Sequence, residues 1–365
     1  VSCARISDAT TAKLAARLDP GLAPVNPLDA WGTGNDAQGV HRDCLTAMME
    51  DADTAIGAIV CDRKPGGRFH HRHAELAATV MAATGKPIVV CSNHQGSGDS
   101  RDTIEIVRAG VAVLDGVPAF LTGVRAMFAF RDFVPPGPAP AVSAATSASW
   151  RQRLTVDGAI DENTALDLIE DFGIPAVAHR LVATRDEAVR AAAQLGMPVA
   201  LKTAAPGIVH KTEADGVRLG LATVDAVAAA FDDLAARLGP RMLVARMVEP
   251  GVEMILGIKR DAQLGPTILI GAGGIHAELL RDVAPARPPF DAAWALKLID
   301  RLKLRRLLDG VRGRPASDVA ALADAAARLS GMAVALADRI REVDINPVIV
   351  HAKGCVAVDA LAIVG

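Results

Sequence analysis

Tyrosine is absent from the sequence, and aromatic residues amount to only 3% of its 365 positions. The core therefore has to be built from Ala, Val, Leu and Ile, which suits the packing of helices on sheets. The net charge of −3 excludes the basic surface by which proteins bind nucleic acid or anionic membranes. No apolar run approaches the ~18 residues that span a bilayer, and no charged segment leads into an apolar one at the start. These absences predict a cytoplasmic protein with no nucleic-acid or membrane partner.

Cysteine is scarce as well. The five cysteines are widely spaced and odd in number, which is not the pattern of a disulfide framework. No CxxC pair occurs, so the usual spacing of a zinc site is also missing. We interpret all five as buried or idle thiols.

Proline is concentrated in one segment, residues 132–149, where a PPGPAP run precedes a stretch rich in Ala, Ser and Thr. This composition favours a semi-extended linker without a core of its own. It divides the chain into domains at 1–131 and 150–365. The first alternates helical and strand patterns, which predicts an α/β domain with a parallel sheet. The second mixes long helices with a terminal hairpin, which predicts an α+β domain.

The first domain shows only three strand patterns and opens in a helix. The chain also begins with Val1 and not with methionine. We therefore expect the leading strand of this domain to be missing from the sequence.

The terminal hairpin carries polar side chains on one strand face. Glu342, Asp344 and Asn346 alternate with apolar residues, so they share a face. If residues 351–354 form the turn, Asn346 lies opposite Asp359, with Cβ atoms about 5 Å apart. Two such oxygen ligands suit a hard cation such as Mg²⁺. A merely solvated outer face is the alternative interpretation.

Three further segments could bind or transfer phosphate. Lys202 ends an apolar strand and could place its charge on a nucleotide phosphate, although surface lysines are common at strand ends. His210 lies in a polar loop and could accept a phosphoryl group, although most loop histidines are unremarkable. The glycine-rich run 271–274 could approach a phosphate closely, or could form an ordinary turn.

These segments occur together in an order that resembles the NDP-forming acyl-CoA synthetases (acetate–CoA ligase, ADP-forming), relatives of succinyl-CoA synthetase. The resemblance covers about 150–365 and implies an ATP-grasp domain of two lobes. Its motifs are the strand lysine and HK-[ST] loop in 199–217, the G-x-E segment at 251–253, the glycine-rich stretch 265–282, the LL-x-G-x-RG signature at 307–313, E-[LV]-DINP at 342–347 and VAVDA at 356–360.

The resemblance also implies roles for individual residues. His210 would be the second relay histidine, which passes a phosphoryl group between an acyl phosphate and ADP during acyl-CoA formation or its reversal. Asn346 and Asp359 would bind Mg²⁺. The remaining matched positions would hold ATP or ADP; these are Lys202, Lys211, Met247, Glu253, Gly273 and Gly274.

Residues 1–131 resemble the flavodoxin-like domain that precedes ATP-grasp in single-chain members, with Asn26–Asp29 as its NP-x-D motif. The resemblance begins after the first strand of that domain, so we expect the domain to be N-terminally incomplete here. The CoA-binding domain and the domain with the principal phosphohistidine have no counterpart in the sequence. We therefore expect CoA, a substrate, to bind mainly elsewhere, on a partner subunit or further domains. Asp215 and Arg246 depart from the family pattern, where glycine and glutamine are usual. We expect both to add charge near the phosphate site.

The favoured function is thus the ATP-grasp part of an ADP-forming acid–thiol ligase. A nucleotide-binding regulatory module without synthetase turnover is the alternative from another class. An ATP-grasp carboxylate–amine ligase is disfavoured by the relay-type loop around His210. The sequence leaves open the carboxylic acid, the choice of ATP or GTP, and the oligomeric state.

Overall fold

The structure, a computed structural model, describes residues 3–31, 34–62, 71–95, 101–208, 211, 213–274, 282–310 and 315–365. The chain folds as two compact units, Val1–Val134 and Pro135–Gly365. Their boundary lies inside the predicted linker. Within the described ranges, no helix is both long and apolar enough to cross a membrane.

The first unit is built on a parallel sheet of three strands in the order β1-β2-β3. Its central strand is buried throughout, as expected of a strand covered by helices on both faces. The predicted α/β arrangement is therefore confirmed. Its elements are α1 (Asp8–Arg17), α2 (Ala37–Glu50), β1 (Gly57–Cys61), α3 (His71–Thr84), β2 (Ile88–Ser92), α4 (Arg101–Arg108), β3 (Ala112–Asp115) and α5 (Val117–Arg131).

The second unit contains two antiparallel sheets. The larger has seven strands, ordered β11-β10-β9-β12-β14-β4, with β13 paired to β12. The smaller has four, ordered β5-β8-β6-β7. The strands are β4 (Gly158–Ile160), β5 (His179–Val182), β6 (Val199–Thr203), β7 (Val217–Leu221), β8 (Met242–Arg246), β9 (Val252–Asp261), β10 (Gly265–Ala272), β11 (Val283–Ala286), β12 (Ile340–Val350), β13 (Cys355–Ala357) and β14 (Ala360–Val364).

Helices cover each of these sheets separately. The helices of this unit are α6 (Ala144–Arg153), α7 (Glu162–Asp171), α8 (Arg185–Leu195), α9 (Val224–Leu238), α10 (Ala292–Ile299), α11 (Arg305–Leu308) and α12 (Val319–Ala335). The larger sheet shares one core with α6, α7, α10 and α12, and the smaller sheet shares another with α8 and α9. Two lobes with separate cores result.

Two predicted segments differ in the structure. Helix α6 begins inside the predicted linker 132–149, because Ser143 caps its first turn and Trp150 is fully buried with its indole N–H donating to Asp171 (2.9 Å). A domain start at 150 therefore divides this helix. The continuous helical pattern over 291–308 forms two helices, α10 and α11, with the chain turning at 300–304 between them.

Candidate functional site

The register of the terminal hairpin follows the sequence prediction. Val348 pairs with Ala357 across β12 and β13, and Ile345 pairs with Ala360 across β12 and β14. Between these pairs, the backbone N–H of Asn346 donates to the carbonyl oxygen of Asp359 at 3.3 Å. The two predicted metal ligands are therefore direct neighbours on adjacent strands.

Asp318, which caps the start of α12, holds the hairpin turn. Its carboxylate accepts hydrogen bonds from the backbone N–H of Gly354 (2.9 Å) and of Ala321 (3.0 Å). These two donors lower the pKa of Asp318. Its own N–H donates to the carbonyl of His351 (2.6 Å). Both ends of the turn are thus attached to one helix terminus.

The polar face of β12 points away from the buried core. Val343 and Ile345 are buried, whereas Asp344 and Asn346 are exposed. The pKa of Asp344 is raised, first because surrounding protein removes part of its hydration, and then because the carboxylates of Glu342 and Asp359 repel its charge. A cation at this face would relieve that repulsion.

Glu253 and the glycine-rich segment meet at one end of the larger sheet. The N–H of Gly273 donates to the carbonyl of Glu253 at 3.0 Å. A Cβ on Gly273 would stand 2.8 Å from the backbone carbon of Met254, so only glycine fits without moving β9. Gly274 has a φ of +57°, and the Glu253 carboxylate lies over it. Glu253 is exposed, on the face opposite the buried Met254.

Met247 lies in the connection between the two lobes. It follows β8 of the smaller sheet and precedes β9 of the larger one. Its N–H donates to the carbonyl of Pro198 at 3.0 Å, which fastens the connection to the residue before β6. Met247 therefore lies at the junction of the two lobes.

Lys202, on β6, reaches from the smaller sheet to the larger one. Its Nζ donates to Glu162 Oε1 (2.6 Å), to the carbonyl of Val358 (3.0 Å) and to Asp359 Oδ2 (3.2 Å). Lys211 Nζ pairs with the other oxygen of Glu162 and lies 3.9 Å from Asp359 Oδ1. We call Lys202, Lys211, Glu162 and Asp359 the lysine cluster.

Lys202 and Glu162 are the buried members of the lysine cluster, and Lys211 and Asp359 are partly buried. Burial by itself lowers the pKa of Lys202, but the carboxylates of Glu162 and Asp359 outweigh it, and the pKa of Lys202 is raised. The residue is only 8% exposed, and it stays charged. A protonated Lys202 is thus held where Asp359 adjoins Asn346.

Glu162 was not predicted as a site residue. It is the first residue of α7, after the cap Asp161, whose carboxylate accepts from the N–H of Thr164 (3.0 Å). Acidic residues at a helix start usually serve the helix dipole, so the local pattern gives no reason to assign Glu162 to a site. Only the fold brings it to Lys202 and Lys211.

His210, the predicted relay histidine, lies outside the described residues. The adjacent Lys211 is described, and its carbonyl accepts from the N–H of Gly216 at 2.8 Å. The N–H of Thr203 in turn donates to the carbonyl of Gly216 at 2.8 Å. The base of this loop is therefore attached to the strand that carries Lys202.

The residues present fit a magnesium ion. In the described ranges, no three His, Cys, Asp or Glu side chains are grouped so that they could hold a metal by themselves. Asn346 and Asp359 supply two oxygens, and Mg²⁺ in nucleotide sites takes its other ligands from phosphates and water. Two protein ligands are thus enough for a site in which nucleotide phosphates and water complete the coordination of Mg²⁺.

Asp215 does not add free charge near the site, contrary to the prediction. It has a φ of +51°, a conformation that glycine adopts readily and aspartate tolerates. Its carboxylate accepts from both Nη atoms of Arg218 (2.8 and 3.0 Å) and lies 3.4 Å from Arg237. Asp233 pairs with the same two arginines. We call Asp215, Arg218, Asp233 and Arg237 the surface cluster.

Comparison with known proteins agrees with this geometry. The ATP-grasp domain family matches residues 153–364. The beta subunit of acetate–CoA ligase (ADP-forming) II from Pyrococcus furiosus is 34% identical over 55% of this chain and 90% of that protein. The trans-feruloyl-CoA synthase FCS1 of an unknown prokaryotic organism is 33% identical over 94% of this chain, and the match spans 50% of that protein.

Solved structures show the same likeness. Acetyl-coenzyme A synthetase 1 (dinucleotide forming) of Ca. Korarchaeum cryptofilum, in complex with coenzyme A, Ca-AMPCP and HgCl+, is 33% identical with a TM-score of 0.57. The match covers 61% of this chain and 100% of that one. The chain therefore belongs to the ADP-forming acyl-CoA synthetase family and contains its ATP-grasp domain.

Proposed function

We propose that this chain supplies the ATP-grasp part of an ADP-forming acid–thiol ligase. Lys202 and Lys211 hold nucleotide phosphates, and Glu253, Gly273, Gly274 and Met247 line the nucleotide site. Asn346 and Asp359 hold Mg²⁺. His210 carries the phosphoryl group to or from ADP.

The lysine cluster carries this proposal. Two charged lysines are buried where the lobes meet, and they share Asp359 with the proposed metal pair. A polyphosphate provides the negative charge that could replace Asp359 on the lysines, which leaves that carboxylate for the cation.

In the proposed reaction, His210 of this chain holds the phosphoryl group before its transfer to ADP. An acyl phosphate formed elsewhere gives its phosphoryl group to the principal phosphohistidine and releases the carboxylate. That histidine then passes the phosphoryl group to a ring nitrogen of His210 and regains its own lone pair. The β-phosphate oxygen of ADP then attacks that phosphorus, and the histidine leaves with its lone pair restored. Lys202 and Lys211 neutralise charge on the transferred group. Mg²⁺, when bound, neutralises phosphate charge in the same way.

The wider activity is part of the same proposal. The chain spans half the length of the feruloyl-CoA synthase that it matches, and the Pyrococcus relative is a beta subunit. These facts support a CoA-binding partner subunit or further domains that act on CoA and the carboxylic acid. A solved Korarchaeum structure holds coenzyme A together with Mg-AMPPCP, which supports the nucleotide and metal assigned here. Assembly into an oligomer and a cytoplasmic location stay predictions.

Calorimetric titration of the 365-residue chain with ADP and with ATP, with and without Mg²⁺, tests the site. We expect micromolar, Mg²⁺-dependent binding that Asn346→Ala and Asp359→Ala abolish. The matched control is Asp157→Ala, which should bind nucleotide normally. Asp157 is an exposed carboxylate directly before β4. Unchanged binding in both site variants would refute the metal assignment.

The relay step needs a separate measurement. Incubation with γ-labelled ATP should leave an acid-labile phosphoryl group on the chain, and His210→Ala should lose it while still binding ATP. Labelling of the variant would contradict the relay role. Nucleotide binding without any labelling of the unaltered chain would favour the regulatory module.

A further inference from the structure

Glu162 makes an unusual pair of contacts. Its side chain is 2% exposed, and its two oxygens bind different lysines: Oε1 accepts from Lys202 and Oε2 from Lys211. One lysine lies on strand β6, and the other lies in the loop that follows it. One carboxylate therefore sets the distance between a strand and its loop.

We infer that Glu162 is a positioning residue of the phosphoryl-transfer site, which fixes Lys211 and its loop relative to Lys202. The inference rests on the proposed function, because it assigns the lysines to nucleotide phosphate. Lys211 directly follows His210 in the sequence.

The base of the Glu162 side chain is fixed by its helix. Helix α7 is capped by Asp161 and packs into the core of the larger sheet through Leu166 and Ile169, which are fully buried. Lys202 belongs to the smaller sheet. A carboxylate held by one lobe therefore places two cations of the other.

The two acids of the lysine cluster differ in what they can do. The Asp359 side chain is 37% exposed and adjoins Asn346, so it can turn from the lysines to a cation. Glu162 is enclosed between both lysines, and a buried carboxylate without its partners is costly. We therefore assign Asp359 to exchange with ligand and Glu162 to remain in place when nucleotide binds.

A simple counter-ion role predicts the opposite effect of mutation. If Glu162 only neutralises the lysines, it competes with phosphate, and Glu162→Gln should bind nucleotide more tightly. If Glu162 positions the lysines, the uncharged amide cannot accept from both, and affinity should fall about tenfold or more, the equivalent of one charge-assisted hydrogen bond. The sign of the change separates the two roles.

The test is calorimetric titration of ADP with Mg²⁺ into the full chain. Glu162→Gln should bind about tenfold or more weakly than the wild type. Glu170→Gln, an exposed residue of the same helix, is the control and should match the wild-type affinity.

Glu162→Asp distinguishes position from charge. It keeps the carboxylate but withdraws it by one methylene, so it should lose affinity for ADP although the charge of the cluster is unchanged. This variant decides the question if Glu162→Gln does not fold. Wild-type affinity in Glu162→Asp, or tighter binding by Glu162→Gln, would overturn the inference alone. Absence of binding by the unaltered chain would overturn the proposed function, and the inference with it.

Discussion

The lysine cluster and the surface cluster have the same composition, two cations and two carboxylates, in very different surroundings. Glu162 in the first is 2% exposed, whereas Asp215 in the second is 71% exposed. The first joins elements of both lobes, and the second joins the smaller sheet to its own helix α9. Equal numbers of ion pairs therefore imply neither equal stabilisation nor equal function.

The difference teaches what burial does to a charge. The charges of an exposed ion pair are solvated in both the folded and the unfolded chain, so the pair contributes little to the free energy of unfolding. A buried cluster cannot lose one member without leaving the others uncompensated. It can, however, exchange a member for a ligand of the same sign, which suits a binding site.

Removing the charge of Lys202 should have the largest effect. We expect Lys202→Met to lower the free energy of unfolding by about 3–5 kcal/mol, because it leaves buried Glu162 short of a partner. Nucleotide binding should be lost as well. Urea unfolding and calorimetry check both. Arg218→Met, the matching change in the surface cluster, should unfold at nearly the wild-type urea concentration and bind nucleotide normally; an equal loss in the two variants would contradict the distinction.

Alkaline solution should weaken the lysine cluster, and acid should weaken the surface cluster. The pKa of Lys202 is raised, so its contribution is complete below the unfolded value of about 10.4 and is lost as pH rises through the folded value. The pKa values of Asp215 and Asp233 are lowered, chiefly by Arg218 and Arg237 respectively. Their contribution is present above about pH 3.9 and is lost as pH falls through the folded values.

Unfolding free energies measured across pH for the wild type, Lys202→Met and Asp215→Asn check this. The difference between wild type and Lys202→Met should shrink in strongly alkaline solution. The difference between wild type and Asp215→Asn should vanish in acid. A Lys202 contribution that does not fall in strongly alkaline solution would show that the sign is wrong.

Salt should separate the clusters by a smaller margin. At 1 M salt the Debye length is about 3 Å, and exposed pairs are screened far more than buried ones. We expect any destabilisation by Arg237→Gln to disappear at 1 M NaCl, while that of Lys202→Met persists. Thermal unfolding at low and high salt measures this, and equal salt sensitivity would count against burial as the cause.

The smallest effect should come from the backbone at Asp215. Its φ of +51° favours glycine, so Asp215→Gly removes the ion pairs but relieves the conformation. Asp215→Ala removes the ion pairs and keeps the strain. We expect the alanine variant to melt about 2–4 °C below the glycine variant, and a reversed order would show that backbone strain at position 215 does not limit stability.

Regular patterns in the sequence predicted most of the fold. The alternation of helical and strand patterns in the first domain gives the expected α/β unit, and the hairpin register that places Asn346 against Asp359 is confirmed. Both predictions depend on periodicity over contiguous residues, which local sequence records directly. Helix α6 was read as linker because Ala, Ser and Thr dominate its start, and the buried Trp150 that stabilises it is a tertiary effect.

The site was less accessible to sequence reasoning. Lys202 and Asp359 were each singled out from local patterns and a family resemblance, but their contact depends on how two lobes pack. Glu162 gave no signal, because a helix-start acid looks the same whether it faces solvent or two lysines. The pairing of Glu162 with two lysines distant in sequence can be identified only from the tertiary structure.

The attachment of the hairpin turn to Asp318 has an evolutionary consequence. Since side chains alternate between faces of a strand, one inserted residue between His351 and Gly354 would turn Asp359 toward the opposite face or force a bulge beside it. Gly354 and His351 are also both hydrogen-bonded to Asp318, so an insertion between them would break one of these hydrogen bonds. Relatives that retain the Asn346 and Asp359 equivalents should therefore tolerate substitutions in this turn but not changes in its length.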